Sequence, residues 1–414
     1  MTKALSENRD FRRFLLFSVF SGVGGGIFGI FMMWAIHAQY RNPIYTGIAG
    51  FMFGAPYVAS FIVGPLVDRR SKVRTIRVAS LVRFLVVALI LAAHLFFEPG
   101  AWFFLLAILS YCVARVFERP ARAAYMPGIL AGEDLVRANA RLNIVGTIAG
   151  LAVGGGLYAL MRRGAGFELV YGANAAALLL AFLSSASLRG PESEAPAKGR
   201  DPAAMRAYFA ELRAGFAFVS KGALRPLIVA GLFISFFSEM AYVNLPMFAQ
   251  THLGADSGYI VLSALALLGG IFGSLVSRAV EKRLELWKII AGCLVAAGVA
   301  RIVFVLIIEG GLARALLAYI LSVAFGSAIS IFYAALIQKL APKNLVGRVA
   351  AIRASITSAA AAIGALAGGL AGRLLPGADM ALLIKGGSYI VIGACLCLSA
   401  SVRSLPKIAD ARGD

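Results

Sequence analysis

Ionisable side chains inside long apolar runs are the groups here with chemistry to offer. Burying a charge in hydrocarbon costs free energy, so such a residue has a partner or a task. Glu239 lies near the middle of one run, in Phe236-Phe-Ser-Glu-Met-Ala-Tyr-Val-Asn244, with Tyr242 and Asn244 close behind it. A carboxyl at that depth is a candidate site for a proton or a substrate cation; a salt-bridged structural role is the competing reading. Arg301 lies past the midpoint of another run, where it can pair with Glu239 or receive an anion. Arg83 is the third deep charge, and its long stem also lets it snorkel to the cytoplasmic interface. His37, beside Trp34, Gln39 and Tyr40, brings a titratable ring to the outer end of the first run. A wetted position at the outer mouth also accounts for that histidine.

A second constellation is the turn Gly64-Pro-Leu-Val-Asp-Arg-Arg-Ser-Lys-Val-Arg74, pressed between two apolar runs. Asp68 stands there among Arg69, Arg70, Lys72, Arg74 and Arg77. Such a knot of cations stays in water or at the headgroups, and between spans it marks the cytoplasmic side. Gly64 permits a close helix approach, and Asp68 suits the positive end of a neighbouring helix, a contact that typically gains about 0.3–1 kcal/mol. Arg115 and Glu118, at the inner end of another run, are expected near Asp68, and Arg348, which follows Pro342 as a basic stretch follows Pro127, is grouped with the same gating residues. An ordinary positive-inside loop is the alternative.

The elements that must position these groups are membrane spans. The 414 residues are 60% hydrophobic and 14% charged, with a mean hydropathy of +0.84, against about 25% charged in soluble domains. Apolar blocks of about 20 residues, enough to cross roughly 30 Å of hydrocarbon, fall near 13–38, 44–67, 74–96, 101–118, 139–161, 166–188, 226–250, 257–279, 286–308, 312–338, 350–372 and 381–402. This predicts an all-α polytopic membrane protein with twelve transmembrane helices in two six-helix pseudo-symmetric bundles. The bundles are 1–190 and 226–414, joined by a cytoplasmic linker, 191–225, whose later part has the spacing of an interfacial amphipathic helix. On the outer side fall only Arg41, Arg162, Arg163, Arg314, Arg373 and Lys385, which places both termini in the cytoplasm. The residues from Met1 to Arg13 lack a cleavage pattern.

The halves repeat. Gly64-Pro-Leu-Val-Asp-Arg69 returns as Gly273-Ser-Leu-Val-Ser-Arg278, each at the end of the second span of its half. Glycines at four-residue spacing, Gly146, Gly150 and Gly154 in span five and Gly364, Gly368 and Gly372 in span eleven, let helix backbones pack closely. Parallel six-span repeats are a transporter architecture.

Other classes find little support. The net charge of +20 sits between spans, where topology places it, and not on a nucleic-acid-binding face. No Gly-x-x-x-x-Gly-Lys-Ser/Thr phosphate loop is present, and the four cysteines lie in apolar runs without zinc spacing. Neither cofactor nor metal nor enzymatic activity is expected.

The turn at 64–74 resembles the cytoplasmic Gly-x-x-x-Asp-Arg-x-Gly-Arg-Arg signature of the major facilitator superfamily. Gly64, Asp68, Arg69, Lys72 and Arg74 match, and Ser71 stands where the second glycine is usual. Arg119-Pro-Ala-Arg-Ala-Ala-Tyr-Met-Pro127, Ala138-Asn139, Pro342 and Gly347-Arg348-Val349 are similar to the exporter branch that includes macrolide efflux proteins and the enterobactin exporter. Gly146 to Gly155 resembles the antiporter signature of span five, with Leu151 where proline is usual. The resemblance implies alternating access around a central cavity, with spans two and eleven, and five and eight, packed together through the glycine arrays. It also implies Asp68 and its cations as an inner latch. The expected function is proton-coupled export of small amphipathic compounds, drugs or siderophores, by a monomer in the bacterial inner membrane. The alternative is a facilitator or importer of a polar or anionic small molecule, with Arg301 and Arg83 as its anion site.

Overall fold

The computed structural model describes residues 8–68, 70–130, 133–189, 213, 215–218, 220, 224–254, 258–280, 285–340 and 346–403. In lipid every backbone N–H and C=O must be satisfied within its own segment, and the described residues are accordingly helical. In chain order the helices are α1 (Arg9–Tyr40), α2 (Pro43–Val58), α3 (Ser60–Asp68), α4 (Lys72–Phe96), α5 (Ala101–Ile129), α6 (Glu133–Arg162), α7 (Phe167–Ala186), α8 (Leu224–Tyr242), α9 (Leu245–Leu253), α10 (Gly258–Val280), α11 (Leu286–Ile307), α12 (Leu312–Leu340), α13 (Val346–Leu374), α14 (Ala378–Leu398) and α15 (Ala400–Arg403). Among the described residues eleven are long and apolar enough to cross a membrane, and the pair α2 and α3, bent by 48°, counts as a twelfth when taken as one span.

Local chemistry sets the ends and breaks. The Asn8 side chain accepts hydrogen bonds from the Asp10 and Phe11 amides and caps α1. Ser71 caps α4 through the Arg74 amide. Arg41 closes α1 in the left-handed region, φ 46°, its N–H returning to the His37 carbonyl. Span seven breaks between α8 and α9, where Pro246 brings no N–H to bond back into α8. The buried Asn244 amide bridges that break, donating to the carbonyls of Met240 (2.9 Å) and Gly368 (2.8 Å).

The chain divides into two compact units, one holding α1 and α3–α7, the other α2 and α8–α15. The division after Arg200 falls within the expected linker, 191–225, but α2, the first half of span two, packs along α13 and groups with the second unit. Glycine makes that approach possible: a side chain at Gly47 would meet the Gly369 backbone, and one at Gly50 would meet Ala365 and Val243. Spans two and eleven pack together as the resemblance implies; within the array, Gly364 and Gly368 face Phe236 and Met240 of span seven, and Gly372 lies against both Asn244 and Pro43. In span eight, Gly269 and Gly273 pack on Val323 and Ala324 of α12. Gly146, Gly150 and Gly154 have open space on them among the described residues. The contrast predicts two outcomes for thermal unfolding of purified protein. Gly364→Val drives a side chain into the Phe236 backbone and is expected to cost about 1–3 kcal/mol or more, whereas Gly150→Val should leave the midpoint nearly unchanged.

The core of the second unit is built by Leu227, Ile290, Leu294, Ala328, Phe332 and Val349 from α8, α11, α12 and α13. Of the expected interfacial helix, 201–212 lies outside the described residues.

Candidate functional site

Each unit carries a buried polar cluster built around an arginine. In the first, Arg83 of α4 is fully enclosed, with 1% of its surface exposed, and does not snorkel to the interface. It forms an ion pair with Glu118 of α5, and donates to Ser21 Oγ (2.8 Å), the Ser21 carbonyl (3.1 Å) and the Tyr111 hydroxyl (2.6 Å). Ser21 in turn donates to Glu118 Oε1 at 2.8 Å. Arg122, one turn further along α5, reaches the same carboxylate at 3.5 Å and lies over Phe14 and Phe17 of α1. Glu118 is thus bound to Arg83, Ser21 and Arg122 in the helix interior, where sequence reasoning expected it beside Asp68. With its charge neutralised there, Arg83 makes a poor anion receptor. Arg115 points past Gly25 of α1. His37 is buried in the last turn of α1, 4% exposed, and so is not a wetted mouth residue.

In the second unit Glu239 is half-buried on α8, five residues before Asn244 and the break in span seven. It is in electrostatic contact with Lys385 of α14, and Lys385 in turn with Arg301 of α11. Lys385 therefore belongs to the interior of the unit and not to an outer loop. Its position near the start of the last apolar block gave the wrong impression in the sequence. Arg301 is 5% exposed, and its guanidinium carbon lies 4.6 Å from the Tyr319 ring centre and 5.7 Å from that of Phe304. The Lys385 ammonium is 5.5 Å from the Tyr389 ring centre, and the Tyr389 hydroxyl is 2.6 Å from that of Ser238. Tyr242 pairs its hydroxyl with that of Tyr259 at 2.8 Å, while Asn244 serves the helix break. The structure therefore brings Glu239, Arg301 and Tyr242 into one unit and leaves Arg83 and His37 in the other. Lys385, Tyr319, Tyr389 and Arg122 were missed. A tyrosine on the helix following each deep arginine, Tyr111 after Arg83 and Tyr319 after Arg301, was the available signal.

Along α8 and α14, Phe233, Phe237, Ile384, Val391 and Leu396 line an apolar groove of about 700 Å³. At the other end of the first unit, the expected latch is only partly visible. The Asp68 side chain and Arg69 lie outside the described residues. Gly64 has open space on it among the described residues. Arg70 and Arg74 rim a pocket of about 740 Å³ between α4 and α5, and Lys72 opens α4. Arg348 sits half-buried in the first turn of α13.

Twelve spans surrounding buried polar clusters, with one span broken beside a carboxyl, define a multi-pass carrier of small molecules. A family model described as Major Facilitator Superfamily matches residues 14–365, and the chain belongs to that superfamily. It is a transporter embedded in the membrane, with a small-molecule substrate. An uncharacterized MFS-type transporter of Bacillus subtilis (strain 168), YjbB, is 31% identical over 186 residues, which is 44% of each chain, so the match spans under half of that relative. Among solved structures, the nucleoside transporter NupG superposes with a TM-score of 0.69 at 12% identity, covering 96% of this chain and 100% of that one. A peptide transporter POT in complex with sulfate gives 0.73 at 15% identity, covering 94% of each chain. A bacterial homolog of the human lysosomal transporter Spinster, in an inward-facing and occupied conformation, gives 0.70 at 13% identity, covering 98% of each. At these identities the likeness is one of fold.

Proposed function

We propose that this chain is a proton-coupled exporter of small amphipathic compounds, drugs or siderophores among them, working by alternating access. One observation carries the reading: Glu239 sits half-buried on α8 near the break in span seven, within charge–charge range of Lys385. Discontinuous helices beside ionisable groups are where carriers bind substrate and coupling ions. The apolar groove on the same helix suits the hydrocarbon part of an amphipathic cargo. Export is the direction implied by the branch resemblance at Arg119 to Pro127 and at Gly347-Arg348. In this reading the protein is a monomer of the bacterial inner membrane with cytoplasmic termini, and Asp68, Arg69 and Arg74 form the inner latch. Purified protein in proteoliposomes is expected to move an amphipathic dye when a pH gradient is imposed. Inside-out vesicles should accumulate the dye. Silence of both preparations across a panel of dyes and macrolides would contradict the reading.

A second reading, passage of a polar or anionic small molecule, is favoured by one feature of the same site. Arg301 and Lys385 outnumber the carboxylate between them.

The latch has its own test. Asp68→Asn is expected to shift the labelling of single cysteines on the two membrane faces by several-fold, because loss of a contact specific to one access state changes the populations. An unshifted labelling pattern would reduce the loop to a topology signal.

A further inference from the structure

The third span of each half carries a buried arginine lying over a tyrosine of the fourth. Arg83 lies 4.8 Å from the Tyr111 ring centre, and Arg301 lies 4.6 Å from that of Tyr319. The device repeats, but its charge balance does not. Arg83 is bonded to Glu118 and Ser21 inside its own unit. Arg301 is also buried and meets Tyr319, Phe304 and Tyr389, with no carboxylate beside it among the described residues. Its guanidinium bonds the Tyr319 hydroxyl, and its Nε, like that of Arg83, has no acceptor among the described residues. A second cation, Lys385, lies where α14 packs on α11, its neighbour Gly386 against Gly298 and Ile302, and the one carboxylate of the group among the described residues, Glu239, is within charge–charge range of Lys385. The cluster thus holds two cations against one carboxylate among the described residues. Keeping an uncompensated guanidinium out of water is costly, and a guest that brings the missing negative charge removes that cost.

We propose that Arg301 and Lys385 hold the acidic group of the transported molecule, a carboxylate or a phosphate monoester. The planar guanidinium offers paired donors matched to two acid oxygens, and the ammonium adds a point charge. The Ser238 and Tyr389 hydroxyls are bonded to each other at 2.6 Å, so one of that pair keeps an O–H to offer, and Tyr319, which accepts from Arg301, keeps its own. The apolar groove lined by Ile384 and Ser388, neighbours of Lys385 along α14, suits a cargo whose remaining body is hydrophobic. The assignment rests on the transporter reading above and is independent of the direction in which cargo moves.

The test uses the full chain in phosphatidylcholine nanodiscs, with binding followed by calorimetry and thermal shift. The probes are water-soluble aromatic and aliphatic acids, phenylbutyrate and phenyl phosphate among them, each paired with its neutral amide or alcohol. At least one acid is expected to bind the wild-type protein about tenfold more tightly than its neutral partner. Arg301→Gln and Lys385→Gln should each abolish that preference, and Lys385→Arg should keep it. If Arg301→Gln does not fold, the Lys385 pair decides the matter. Adding phosphatidylglycerol to the nanodiscs should leave acid binding unchanged; displacement by that lipid would overturn the cargo assignment in favour of a headgroup. The proposal is also overturned if no acid outbinds its partner, or if the preference survives both glutamine substitutions. An acid that binds but never crosses proteoliposomes would refute the transport reading and leave the site standing. Driven transport without charge preference would do the reverse.

Discussion

Glu118→Ala is expected to destabilise the protein by about 3–5 kcal/mol, the range seen when one partner of a buried ion pair is removed. The side chains of Glu118 and Arg83 are each only 2% exposed, so water cannot take the place of the missing carboxylate. Arg83 and Arg122 would then face each other across the Ser21 hydroxyl with nothing to balance them. Typical domains have a net stability of about 5–15 kcal/mol, so a loss of that size removes much of the margin. The expected signature is a large fall in the thermal midpoint of purified protein, together with early aggregation in detergent. The double substitution Glu118→Leu with Arg83→Met is expected to recover much of the loss, since an apolar pair carries no desolvation penalty. A midpoint unchanged in Glu118→Ala would show that the cluster is not a structural pin of the first unit.

Glu239→Gln has the second large effect, and it falls on function. Glutamine keeps nearly the same shape and retains an acceptor oxygen, but it cannot take up or release a proton. Accumulation driven by a pH gradient is therefore expected to drop at least about tenfold, equivalent to about 1.4 kcal/mol or more of lost coupling. Exchange of cargo down its own gradient should continue at a reduced rate, because the helix break and the groove on α8 and α14 are left in place. Measuring both fluxes in one preparation separates a coupling residue from a structural one. A residue needed only for folding would lower the two together.

Much of the fold was legible in the sequence because the bilayer imposes a simple rule. Twelve apolar blocks separated by cations can hardly be read otherwise, and the bend in span two and the break in span seven carry prolines at Pro56, Pro65 and Pro246. The partners of the deep charges were not legible. Glu118 and Arg83 lie on different helices, and no local spacing says which charge an arginine will find. Lys385 looked like an outer-loop cation because it falls near the start of the last block; α14 in fact begins at Ala378, two turns earlier. The packing of span two on span eleven matched expectation, but span eleven also packs on span seven: Gly364 and Gly368 meet span seven, Gly372 meets both, and Gly369 and Ala365 meet span two. Spacing gives the face and leaves the neighbour open. Arg301 was already read as able to receive an anion, but its surroundings were not legible: Tyr319, Phe304 and Lys385 come beside it only once the helices are in place.

The most direct test of the account is simultaneous recording of proton and cargo movement in proteoliposomes with an internal pH-sensitive dye. Wild-type protein is expected to move protons only when cargo is present, and Glu239→Gln to move cargo with no accompanying proton signal. Cargo-dependent proton movement of undiminished size in Glu239→Gln would contradict the assignment of coupling to that carboxyl.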